Sequence, residues 1–236
     1  MRKVLLALAS LLAALAVPAH AREPVATVAA ETGSTRFVPA RVAAERQAIA
    51  HYGPFRVLDA GRAALVGVTD SMAPAQFAAM LRDHPALAML ELIECPGTED
   101  DRANLELGRL IRAAGLATHV PRGGSVRSGA VELFLAGTER HIDEGAEFAV
   151  HSWIDEDGRE AEDFAPDAAI HQPYLAYYRE MGMEDAEARA FYAMTNAAPF
   201  AAARWLDASA MRRWLGTGVS RPQPRIAYLD LPPMLP

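Results

Sequence analysis

Arg127-Ser128-Gly129-Ala130-Val131-Glu132-Leu133-Phe134-Leu135-Ala136-Gly137 is the stretch on which the fold turns. A serine and a glycine open a mostly apolar run that a second glycine closes, which predicts a short buried helix with Ser128 at its start. Downstream, Glu147-Phe148-Ala149-Val150 reads as a short strand that delivers His151. Upstream, an apolar run over 88–93 suits a buried strand and breaks at Cys95-Pro96-Gly97-Thr98. Serine is a poor nucleophile without a base in hydrogen-bond reach and donors for the developing oxyanion. These three pieces contain one candidate for each part.

The spacing around them alternates strand and helix. Residues 55–58 and 63–68 predict two short strands about the turn-prone Asp59-Ala60-Gly61. Residues 71–84 predict a helix, with Pro74 in its first turn and Phe77, Met80, Leu81 and His84 on one face. A second helical stripe, Leu107, Leu110, Ile111 and Ala114, ends at Gly115 and precedes a strand over 117–120 and the loop Pro121-Arg122-Gly123-Gly124-Ser125. After an acidic loop over 154–167 come two helices, near 168–181 and 185–194, and a short one that Asp207 caps and Gly216 ends. Alternation of this kind implies an α/β fold with a mostly parallel sheet.

The ends of the chain read differently. Arg2 and Lys3, an apolar stretch over 4–17, and Ala19-His20-Ala21 have the pattern of a cleaved signal peptide over 1–21. The stretch is short for a membrane span, which needs about 20 residues; a retained N-terminal anchor is the alternative. The expectation is an exported, periplasmic protein with no membrane attachment after cleavage. Residues 22–54 predict an extended arm or loose helix, 55–218 the α/β domain, and 219–236 a proline-rich tail with room for one edge strand over 226–229.

Composition narrows the chemistry. A net charge of −7 argues against nucleic acid or an anionic membrane as partner. Cys95 is the single cysteine, so no intrachain disulfide can form. Lys3 is the single lysine, inside the expected signal peptide. That excludes a Ser-Lys dyad, a Schiff base and a phosphate-loop lysine, so any serine chemistry must lean on histidine. No cofactor and no metal follows from the residues: Gly123-Gly124-Ser125 has no lysine after it, and Asp155-Glu156-Asp157-Gly158 lacks the spacing of a calcium loop.

Strand, Pro-Gly turn, helix, strand, Gly-rich loop, Ser-Gly, then strand and histidine resembles the Clp-type serine peptidases of the Clp/crotonase superfamily. The likeness covers roughly residues 55–216. It implies a Clp/crotonase-like spiral of ββα units with a mostly parallel sheet and C-terminal helices. It further implies Ser128 as nucleophile, His151 as base, and the backbone N–H groups of Gly97, Thr98 and Gly129 as an oxyanion hole. The family's acid falls near Met194-Thr195-Asn196, where no carboxylate stands; Asn196 would then orient His151 through its amide oxygen. The second glycine of the family's oxyanion turn is Thr98 here, a change that leaves its N–H in place.

The function implied is a periplasmic serine hydrolase, an enzyme acting on a peptide or ester substrate, in a family where homo-oligomers are common. Its rival is an inactive exported protein that binds peptides or serves as a scaffold on the same fold. A crotonase-type acyl-CoA enzyme is a third reading, set back by the exported address. Each residue also has a plainer reading: Ser128 as a helix N-cap, His151 as a packed core histidine beside Trp153, Cys95 as a small buried hydrophobe. His171 reads as surface or pocket lining, and His119 as a strand end that approaches the site.

Overall fold

A computed structural model describes residues 28–29 and 39–216. The expected signal peptide and the proline-rich tail lie outside the described residues. In chain order the elements are β1 (Val28–Ala29), α1 (Pro39–Gln47), β2 (Ala50–Tyr52), β3 (Phe55–Val57), β4 (Arg62–Val66), α2 (Ala73–Asp83), β5 (Met89–Cys95), α3 (Asp101–Ala113), β6 (Ala117–Val120) and β7 (Ser125–Arg127). They continue with α4 (Ala130–Leu135), β8 (Arg140–Ile142), β9 (Glu147–Val150), α5 (Gln172–Glu180), α6 (Asp185–Thr195), β10 (Ala202–Asp207) and α7 (Ala208–Trp214).

β5 organises the sheet because it is long enough to serve two neighbours on one side. Its first half, Met89 to Glu91, pairs parallel with Ala117 to His119 of β6. Its last residues, Glu94 and Cys95, pair parallel with Ser125 and Val126 of β7. Two parallel ladders therefore fork from one strand: β6 pairs with β8, and β7 pairs with β9. Each successive unit adds one strand to each ladder, β6 with β7 and then β8 with β9, which is the expected ββα spiral. The far side of β5 is closed by parallel β4 and then the antiparallel β3 and β2. Antiparallel β10 and β1 extend the sheet beyond β9.

Helices cover the sheet, so strands buried on both faces can be nearly all apolar. Leu90, Leu92, Phe134, Phe148 and Leu107 are fully buried, and the rings of Phe134 and Phe148 lie 5.2 Å apart. Asp100 accepts the N–H of Ala103 at 2.9 Å and starts α3; Asp207 caps α7 in the same way, as its sequence predicts. Tyr177 of α5 reaches α3 at Gly108, where a Cβ would sit 2.0 Å from its Oη. Only glycine lets the tyrosine that anchors the C-terminal helices lie there.

Five strands differ from the expectation. β7 occupies the end of what reads as a flexible Gly-rich loop, and β1, β2, β8 and β10 are not signalled at all. β1, β7 and β8 are two or three residues long. Such lengths offer no alternation to detect, and these strands exist through pairing with β10, β5, β9 and β6 rather than through local preference. Residues 39–47 take the helical option of the N-terminal arm, as α1.

Candidate active site

Ser128 lies in the turn between β7 and α4. The parallel register sets Arg127 beside Ala149, and the Ser128 N–H donates to the Ala149 carbonyl at 2.9 Å. Its φ is +50°, and no other non-glycine among the described residues has a positive φ. An L-residue held there stores about 1–3 kcal/mol, and such strain persists only where neighbours over-determine it. The neighbours are close. A Cβ on Gly97, whose φ is +136°, would fall 2.9 Å from Ser128 Cβ and 3.3 Å from Oγ. A Cβ on Gly129 would fall 2.6 Å from Thr98 Cγ2. Both glycines are thus fixed by close approach, and the Pro96-Gly97-Thr98 turn packs directly on the serine. The N-cap of α4 is Gly129, with no side-chain cap, so Ser128 does not serve as the helix cap. Its hydroxyl makes no hydrogen bond among the described residues and faces a cavity of about 250 Å³.

Thr69 and Asn104 hold the turn that faces Ser128. Thr69 donates its N–H to the Gly97 carbonyl at 3.1 Å. Its own carbonyl accepts from Glu99 N–H at 2.8 Å and from the Thr98 hydroxyl at 3.2 Å. Asn104, 2 % exposed, donates to the Gly129 carbonyl at 2.6 Å and accepts from Thr69 Oγ1 at 3.1 Å. A trans peptide points its C=O and the next N–H in opposite directions. Tying the Gly97 carbonyl to Thr69 therefore turns the Thr98 N–H away from Thr69. The N–H groups of Gly97, Thr98 and Gly129 have no partner among the described residues. Thr98 and Gly129 line the cavity with Ser128, whereas Gly97 is buried behind them.

His151 follows β9 and lines the same cavity. Its Nδ1 lies 2.8 Å from the Ser152 carbonyl oxygen, which can only accept. In the neutral ring the proton therefore sits on Nδ1 and the lone pair on Nε2, the tautomer a general base needs. The edge of the ring meets Phe200 at 5.1 Å. No hydrogen bond joins His151 to Ser128 in this structure.

Asn196 departs from the expectation. It lines the cavity, but its Nδ2 donates to the Tyr192 carbonyl at 2.8 Å and to Thr195 Oγ1 at 3.2 Å. Its Oδ1 is buried without a partner. The side chain is turned along α6 by that helix's own carbonyl and makes no hydrogen bond to His151; the Ser152 carbonyl holds the imidazole instead.

Other expectations sort themselves by position. Cys95 is fully buried, its Sγ 3.4 Å from the Leu65 carbonyl, and burial pushes the thiol far up. His119 pairs with Asp143 at 3.3 Å and does not line the cavity. His171 is buried at 4 % exposure rather than at the surface: its ring nitrogens meet Tyr192 Oη at 2.8 Å and the Ala165 carbonyl at 3.0 Å. The acidic loop is anchored, with Glu160 accepting the Phe200 N–H at 2.8 Å. No group of three His, Cys, Asp or Glu side chains among the described residues could hold a metal ion.

Several functional neighbours escape sequence reasoning. Glu132, one turn past Ser128, is buried at 7 % exposure and accepts from Tyr178 Oη at 2.6 Å. Burial pushes its carboxyl up to about 7, against the hydrogen bond from Tyr178. Asp101, which lines the cavity with Tyr174, is also raised by desolvation. Behind the serine, Glu94 and Arg127 form a buried ion pair at 2.6 Å. A signal was available for Glu132 and Glu94, since each interrupts an apolar run bound for the core. Thr69 and Asn104 carry no such mark.

Neither a protein-family model nor a curated protein sequence matches this chain. Among solved structures, a substrate-bound variant of the 1510-N membrane-bound stomatin-specific protease is similar at 17 % identity and a TM-score of 0.43, over 63 % of this chain and 71 % of that one. A second variant of that protease gives 15 % identity and 0.46, over 65 % and 74 %. A variant of ClpP1 from Listeria monocytogenes gives 14 % and 0.47, over 66 % and 88 %. The strand order and register described above define the fold of this chain on their own.

Proposed function

We propose that this protein is an exported, periplasmic serine hydrolase that cleaves peptide or ester bonds. One observation supports it above the rest. The single strained non-glycine residue among those described is a serine, and it shares a cavity with a histidine whose Nε2 is left as the acceptor. Ser128 Oγ attacks the substrate carbonyl carbon while His151 Nε2 takes the hydroxyl proton. The carbonyl oxygen, now anionic, is met by the N–H groups of Thr98 and Gly129, with Gly97 bracing the serine from behind. The intermediate collapses, the C–N or C–O bond breaks, and His151 returns the proton to the departing amine or alcohol. Water then attacks the acyl-serine, His151 acting again as base, and the acid leaves. Such a site needs no cofactor. The chain's net charge of −7 suits neither nucleic acid nor an anionic membrane, and a homo-oligomer is part of the proposal.

The inactive peptide-binding reading keeps one observation in its favour: among the described residues no carboxylate hydrogen-bonds to His151, whose partner is a backbone carbonyl. Turnover of a nitrophenyl ester separates the two. The hydrolase reading expects activity that falls by more than about a hundredfold in both Ser128→Ala and His151→Ala. Retained peptide binding with no turnover in the unmutated chain supports the binding protein.

A further inference from the structure

The cavity does not end at Ser128. It continues between α4 and the C-terminal helices, where Glu132, Asp101, Tyr174, Tyr178 and Tyr192 line it. Among the described residues no Arg or Lys lines the cavity, and its one basic side chain, His151, acts on Asp101. Glu132 is more than nine-tenths buried, yet its one side-chain hydrogen bond is to the neutral Tyr178 hydroxyl. The same protein treats its other buried acid differently, setting Arg127 against Glu94 at 2.6 Å. A buried carboxylate without a counter-ion is costly, and a bound cation relieves that cost. A second, independent mark is Asn196 Oδ1, an acceptor buried in the cavity lining with no donor. Three tyrosine rings complete the walls, and aromatic faces attract ammonium and guanidinium groups.

We infer that this end of the cavity is a specificity pocket for a cationic side chain, lysine or arginine, on the substrate residue whose carbonyl Ser128 attacks. The inference rests on the hydrolase reading for what happens next, but not for binding. The ammonium group sits against Glu132, with Asp101 at the mouth and the tyrosine rings around its methylene stem. Its arrival favours the ionised carboxylate, so binding near neutral pH releases a proton. The groups facing Glu132 are Asp101 of α3 and Tyr174, Tyr177 and Tyr178 of α5. None supplies a competing positive charge.

The test uses the full chain carrying Ser128→Ala, so that nothing is cleaved. Short acetylated peptides that differ only in lysine, norleucine or glutamate at one position are titrated by calorimetry. Lysine should bind about tenfold or more tighter than norleucine, with glutamate weakest. Adding Glu132→Gln should remove the preference. Should that variant not fold, calorimetry in buffers of different ionisation enthalpy replaces it, and lysine binding near pH 7 should release a proton that norleucine binding does not. Equal affinities, or tighter norleucine, overturn the inference. Fluorophosphonate labelling of the unmutated chain is run alongside. Labelling at Ser128 without lysine preference sinks the pocket alone, and lysine preference without labelling sinks the hydrolase reading alone.

Discussion

Replacing Glu132 by glutamine should make the protein more stable at high pH and leave it little changed in acid. The Glu132 carboxyl titrates near 4.5 in an unfolded chain and at about 7 in the folded one, chiefly through burial. Below about pH 4.5 it is protonated in both states and its contribution to stability is complete. As pH rises, the unfolded chain ionises first, and stability falls until the folded group also ionises at about 7. A shift of this size corresponds to about 3 kcal/mol. Glutamine keeps an acceptor for Tyr178 and has nothing to titrate. Asp101 is raised in the same direction, but it is present in both proteins and largely cancels in the comparison. Urea unfolding at pH 4.5, 6 and 8 reads the effect. With a slope of about 3 kcal/mol per molar, the midpoint of Glu132→Gln should gain on the unmutated protein by about 1 M between the extremes. A gap that is the same at every pH, or one that shrinks as pH rises, refutes the reasoning.

Other substitutions separate strain, geometry and chemistry. Ser128→Gly should abolish ester turnover yet raise stability by about 1 kcal/mol over Ser128→Ala, because glycine adopts the positive φ at no steric cost; thermal unfolding of both variants checks this. Gly129→Ala drives a methyl against Thr98 Cγ2, so it should cut kcat by about a hundredfold while KM changes less; steady-state kinetics decide. Asn196→Ala should lower kcat by no more than a few fold, because its amide makes no hydrogen bond to His151, whereas a true third triad member loses about ten-thousandfold.

Much of this protein is legible in its sequence because the long-range pattern is regular. The apolar run at β5, the Leu107 to Ile111 stripe of α3, and the Ser-Gly and His markers fall in the order that a ββα spiral requires. What stays hidden is what pairing and burial create. β7 and β8, three residues each, are strands through their neighbours alone. Asn196 sits where a triad acid is expected, but the Tyr192 carbonyl one turn back captures its amide. The Ser152 carbonyl that holds His151 is a backbone group and leaves no trace in residue identity. Glu132 is visible only as an acid inside an apolar run, and reading that run as plain core loses the buried carboxyl that lines the cavity.

The direct test is chemical. The intact protein is treated with a fluorophosphonate, digested, and the modified residue located by mass spectrometry, with Ser128→Ala and His151→Ala as controls. A single adduct on Ser128, absent in the first control and much slower to form in the second, is the predicted result. No adduct on Ser128 from folded protein, or equal labelling of all three chains, contradicts the assignment of nucleophile and base.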